Sequence, residues 1–213
     1  MIIAKGRCFL GTAITHGDHD PTNRDDTIRW VVAFHVATTD LLRGMDKIPA
    51  KSLKGVLTGA EVDAMNKNGH AAIYAIDKAR HHVAQLFRVD ETSQSKAILY
   101  SSLVALLEEQ CNVMLECCGG MERIRSTPLP MVYVSHLRTF LLMALFMLPY
   151  VWGPSWGWTT IPIVACTAYA WLGIEGAAAE AECPFRADRV NALDMSGYCL
   201  GFISVVKQQL LND

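Results

Sequence analysis

The chain has 213 residues, enough for one domain with a sizeable core or for two small ones. Its 19 Lys and Arg against 21 Asp and Glu leave a formal net charge of −2, so no electrostatic pull toward nucleic acid exists. Charged residues make up only 19% and mean hydropathy is +0.20; the apolar excess sits in residues 129–181, outside the ordinary range for a soluble protein.

In chain order, "MIIAKGRCFLG" is too short and too soon interrupted for the apolar region of a signal peptide. Residues 1–26 carry Gly, His, Asp, Asn and Pro and predict a loop after a short apolar fragment. "DDTIRWVVAFHVATTDLLR", 25–43, opens acidic and closes on Arg43-Gly44, the charge and stop pattern of a helix burying Ile28, Val31, Val32, Phe34 and Leu42. A linker follows at 47–55. Thr58 and Glu61 form a T-x-x-E capping box for a helix that stops at Asn68-Gly69. Further helices are predicted over 70–87 and from about 94 to 118, the second ended by Gly119-Gly120. No alternating β pattern persists, so the expected fold class is all-α.

Two apolar runs follow, 131–152 and 161–181, each close to the roughly 20 residues needed to cross a bilayer core. The turn between them, "GPSWGWTT", is uncharged. Glu122, Arg123 and Arg125 flank one side, and Arg186, Asp188 and Arg189 the other. That asymmetry predicts a membrane hairpin, 131–151 and 159–180, with both ends on the basic, cytoplasm-like face. Tyr150, Trp152, Trp156 and Trp158 gather at the far turn, where amphipathic rings favour the interface. A helical hairpin buried in a soluble protein shows the same two runs, and His136, Arg138 and Glu175 interrupt them. In a membrane, an ionised Glu175 costs roughly 2.5–3.5 kcal/mol on insertion scales, so it must face a partner helix or a water-filled path. Gly173, Ala177 and Ala181 recur at a spacing of four and predict close helix approach and self-association.

Other chemistry is thin. Seven scattered cysteines form no disulfide framework, and reduced thiols are expected. His16, Asp18, His19 and Asp20, with His81-His82, are ligand-capable but lack a second half with metal spacing, so a solvated loop and a polar helix face are the better reading. Cys117 and Cys118 diverge by about 100° on a helix and suit core packing. No nucleophile elbow, Walker loop or dinucleotide fingerprint is present, so no enzyme is expected.

"CCGGMERIRSTPLPMVYVSHLRTFLLMALFMLP", "GIEGAAAEAECPF" and "NALDMSGYC" resemble the bestrophin family of anion channels, including its bacterial and plant-type members. The family pattern falls in order on Glu122, Arg123, Ile124, Thr127, Pro128, Pro130, Tyr133, Leu148, Pro149, Glu180, Glu182, Pro184, Phe185, Asn191, Leu193 and Asp194. The resemblance spans roughly 25–200 and is dense over 121–199.

What it implies is an all-helical membrane subunit of a homopentamer around one central pore, with four membrane helices per subunit in the family. The first two, including the apolar neck, precede the region matched here. The chain is therefore expected to be a single bestrophin-like domain over 1–213, N-terminally incomplete: cytosolic helices over about 25–120, a membrane hairpin over about 131–181 and a helical C-terminal segment over 182–213. Glu122, Arg123, Thr127, Pro128, Pro130 and Tyr133 form the elbow by which a cytosolic helix enters the membrane. His136, Arg138 and Glu175 are candidate cavity-facing residues, and Glu180, Glu182, Pro184, Phe185, Asn191 and Asp194 form the C-terminal motif. Of the acidic run that binds calcium in animal members, only Asp188 and Asn191 stand at matching positions; a hard cation wants about six to eight oxygens, so no cofactor is expected. The implied function is a subunit of a passive chloride- or bicarbonate-type channel, or alternatively a truncated structural or regulatory subunit that does not conduct alone and assembles with a longer relative. The implied location is an integral, multi-pass membrane one, plastid (thylakoid) or plasma membrane.

Overall fold

The stretch expected to be a loop, residues 1–26, is two helices and their junction. A computed structural model, which describes residues 1–45, 47–88, 94–127, 129–182, 184–185 and 193–212, places α1 at Ile2–His16 and starts α2 at Pro21. Gly6, Phe9, Leu10, Ala13 and Ile14 recur at helical spacing and are buried, a periodicity masked by the polar residues beside them. Asp20 caps α2 (Pro21–Leu42): its Oδ1 accepts the Asn23 N–H at 3.2 Å and its Oδ2 accepts from Asn23 Nδ2 at 2.7 Å. Those bonds hold the Asp20 carboxyl below its ordinary value. Pro21 fits the first helical turn because no N–H is needed there. The predicted start at 25 was four residues late for this reason.

By packing, the chain divides into two compact units, Met1–Arg123 with Asp194–Asp213, and Ile124–Leu193. The first is built around α2, whose Ile28, Val31, Val32, Phe34 and Leu42 are all buried as expected. α3 (Gly59–Lys67) carries the predicted capping box, with Thr58 Oγ1 accepting from Glu61 N–H at 3.4 Å and Glu61 Oε2 accepting from Thr58 N–H at 2.7 Å. It ends at Asn68, and Gly69 takes φ +76, a left-handed value that suits glycine. α4 (Ala71–Leu86) packs along α2, burying Ala72, Ala75, Ile76, Ala79 and Val83.

α5 (Gln94–Ser126) overturns a second expectation: it runs straight through Gly119-Gly120. Glycine weakens a helix by about 1 kcal/mol relative to alanine without breaking it. Core contacts on both sides hold this one, with Cys118 accepting from Thr38 Oγ1 at 3.7 Å and Glu122 bonded to His70 at 2.7 Å. α8 (Met195–Asn212) is capped by Asp194, whose Oδ1 accepts the Gly197 N–H at 2.9 Å. It runs antiparallel to α2. Ser196 bonds to Arg43, Cys199 lies against Thr39, and Phe202 stacks on His35 with ring centroids 4.0 Å apart.

The second unit holds α6 (Met131–Trp156), a 3-10 turn at Gly157–Thr159, and α7 (Thr160–Ala181). The first apolar run, expected over 131–152, is helical a turn further: Pro149 and Pro154 both lie inside α6, which turns only at Gly157, φ +53. None of α6 is buried within the chain, and of α7 only Thr160 is. Met131–Ala181, with mean hydropathy 1.7, is long and apolar enough to cross a membrane. Among the described residues the only extended pairing is one bridge, Lys54 to Leu57.

Candidate functional site

The charged residues between 131 and 181 are Arg138, Glu175 and Glu180. Two of the three meet. Arg138 Nε donates to Glu175 Oε1 across the α6–α7 contact, and Arg138 Nη2 lies 3.9 Å from Glu182 Oε1 at the end of α7. Antiparallel register makes this possible: Arg138 stands seven residues into α6 and Glu175 six residues before the end of α7, each about 10 Å along the helix. Pairing offsets the cost that each lone charge would carry inside a bilayer. Arg138 and Glu175, two of the three residues expected to face a cavity, are thus paired with each other.

His136 is elsewhere. With Met131, Val132, Ser135 and Thr139 it lines a shallow groove along α6 itself, and Thr139 Oγ1 donates to Ser135 O at 2.8 Å. Glu175 borders a separate shallow groove with Leu137, Leu141, Trp171 and Ile174.

The elbow residues take up distinct positions. Glu122 and Arg123 are in the last turns of α5, Thr127 just past its end, and Pro130 is the N-cap of α6 at φ −55, ψ 125. Pro130 thus orients the first turn of α6 without supplying an N–H. Tyr133 is exposed on that turn. Pro128 lies outside the described residues. Glu122 Oε1 accepts from His70 Nε2, a partner no local pattern pointed to. Of the C-terminal motif, Glu180 is on α7, Pro184 O accepts from Leu193 N–H at 2.9 Å, Phe185 is buried, and Asp194 caps α8. Asp188 and Asn191, the calcium positions, lie outside the described residues.

The Glu175–Glu182 pairing on Arg138 had a weak sequence signal. Residues seven apart differ by only about 20° around a helix, so both acids share one face of α7. In the histidine loop His19 Nε2 bonds to Leu86 O at 2.6 Å, Asp18 pairs with Arg24 at 2.8 Å, and Asp20 is a helix cap. Among the described residues no group of three His, Cys, Asp or Glu is placed to hold a metal ion.

A family model described as "Bacterial/Fungal Bestrophin protein" matches residues 2–206. A voltage-dependent anion channel-forming protein of Nostoc sp. is 35% identical over 101 residues, which are 47% of this chain and 33% of that protein. One of Synechocystis sp. is 33% identical over 88 residues, 41% of this chain and 28% of that protein. The chain therefore matches about a third or less of the length of these relatives. Crystal structures of single-substitution variants of a bacterial bestrophin homologue from Klebsiella pneumoniae superpose with TM-scores of 0.82 and 0.85, at 19% and 18% identity. Both cover 98% of this chain and 74% of the other. At that identity the likeness is one of fold.

Proposed function

We infer function from one premise: this chain belongs to the bacterial and fungal bestrophin family, membrane proteins whose fold is that of ion channels. We propose that it is a subunit of a passive anion channel, conducting chloride or a similar small anion, with no chemistry and no calcium requirement. The observation that carries this reading is the α6–α7 hairpin. It is almost wholly unburied within the chain, while the unit formed by 1–123 and 194–213 has a core of its own. Such a surface is stable only against lipid or other membrane helices. In this reading α6 and α7 each cross the bilayer, and copies assemble, fivefold, around a shared path where weak, repeated contacts let anions enter and leave.

The test is chloride flux from liposomes containing the purified chain, followed with a halide-quenched dye under an imposed gradient and without an energy source. Flux above protein-free liposomes, unaffected by a calcium chelator, is expected. Flux indistinguishable from protein-free liposomes at verified incorporation sinks the reading.

A further inference from the structure

The channel reading leaves open what Arg138 does. A guanidinium near a permeation path is most simply an attractor of anions. Its geometry here speaks against that. Its Nε is bonded to Glu175, and Glu182 stands 3.9 Å from its Nη2, so two carboxylates offset one cation. Ser135, His136 and Thr139 centre about 110° around α6 from Arg138, at 100° per residue, and line a groove it does not share.

We propose that Arg138 is a positioning residue: it clamps α7 through Glu175 and Glu182, and so fixes which face of α6 carries the Ser135–His136–Thr139 stripe away from α7. The planar fork of arginine suits this task, because it holds direction as well as charge. Apart from Arg138, the half-buried side chains of α6 between 131 and 151 are apolar (Val134, Leu141, Ala144, Leu145 and Leu148), and apolar side chains slide in lipid with little to set rotation, since lipid tails compete for the same contacts. One polar clamp, near the open end of the hairpin, supplies the missing specification. This inference rests on the channel reading for its consequence in flux but not for the clamp itself.

A double-mutant cycle with charge reversal tests it. R138Q, E175Q, R138Q/E175Q and the swap R138E/E175R are purified in mild detergent and compared by thermal midpoint, then by chloride flux in liposomes at equal incorporation. The expected result is a fall of about 5 °C in midpoint for each single variant, no further fall for the double, and recovery of most of the midpoint and flux by the swap. An arginine acting through its field gives the opposite pattern. R138Q then loses flux with its midpoint unchanged, and the swap stays as low as R138Q. That pattern, or additive losses in the double variant, overturns the proposal. If the unsubstituted chain shows no flux, the channel reading fails, and the midpoints alone still decide whether the clamp exists.

Discussion

Glu122 accepts a hydrogen bond from His70 Nε2 at 2.7 Å, while His70 Nδ1 accepts the Ile73 N–H at 3.3 Å as the N-cap of α4. One imidazole therefore caps one helix and anchors another. The second bond requires a bare Nδ1, so the proton sits on Nε2, where the carboxylate receives it. The acid that opens the E-R-I motif is thus held by a residue 52 positions earlier.

Removing that imidazole costs two interactions. His70→Ala is expected to lower stability by about 1–2 kcal/mol, from a lost cap and a partly solvated bond. His70→Asn, which keeps a capping oxygen but cannot reach as far, recovers roughly half, and Glu122→Gln costs less than His70→Ala. Denaturant unfolding followed by circular dichroism measures all three; equal stability of His70→Ala and the parent removes the anchor.

His35 should make the chain acid-sensitive. Its Nδ1–H donates to Val31 O at 2.9 Å, its ring stacks on Phe202, and burial lowers it from 6.5 to about 4. Between those values the unfolded chain takes up a proton that the folded one refuses. Stability is full above pH 6.5 and falls as pH drops toward 4, by about 2 kcal/mol at pH 5. Unfolding curves at pH 7.5 and pH 5 for the parent and His35→Phe check this: the difference between the two proteins should narrow or invert at the lower pH. A constant difference counts against it.

Two glycines in α1 should respond oppositely to alanine. A Cβ at Gly6 would stand 2.7 Å from His35 Cε1, 2.8 Å from its Nε2 and 2.9 Å from Phe202 Cε2, whereas nothing lies within 4 Å of one at Gly11. Gly6→Ala is expected to destabilise by about 1–3 kcal/mol through overpacking. Gly11→Ala should stabilise by about 0.5–1 kcal/mol through helix propensity. Thermal midpoints of the two variants should move in opposite directions from the parent.

The proposed two-crossing topology predicts that Trp156 and Ser126 lie on opposite faces of the bilayer. With the exposed Cys8 and Cys166 replaced by serine, cysteines introduced at 126 and 156 should label with an impermeant maleimide from opposite sides of sealed vesicles. Labelling from one side only would exclude the hairpin. Native mass measurement of the same sample should show a fivefold assembly; a lone monomer would exclude the assembled pore.

Local chemistry was legible in the sequence. The Thr58–Glu61 capping box, the stop at Asn68-Gly69, the buried face of α2 and the two apolar runs each depend on residues a few positions apart, so spacing alone reveals them. The proline that starts α6 is of the same kind. What the sequence could not settle lies where a distant partner outweighs a local preference. α5 continues through Gly119-Gly120 because Thr38 and His70 hold it on either side, and α1 forms because its sparse apolar residues find α2 and α8 to bury against. The Arg138–Glu175 pair joins positions 37 apart, and only the antiparallel register of two helices brings them to one depth. Caps, stops and apolar runs are decided within a turn or two of chain; the pairing of charges and rings, and the helices that lean on distant partners, are decided by packing, which no spacing along the chain encodes.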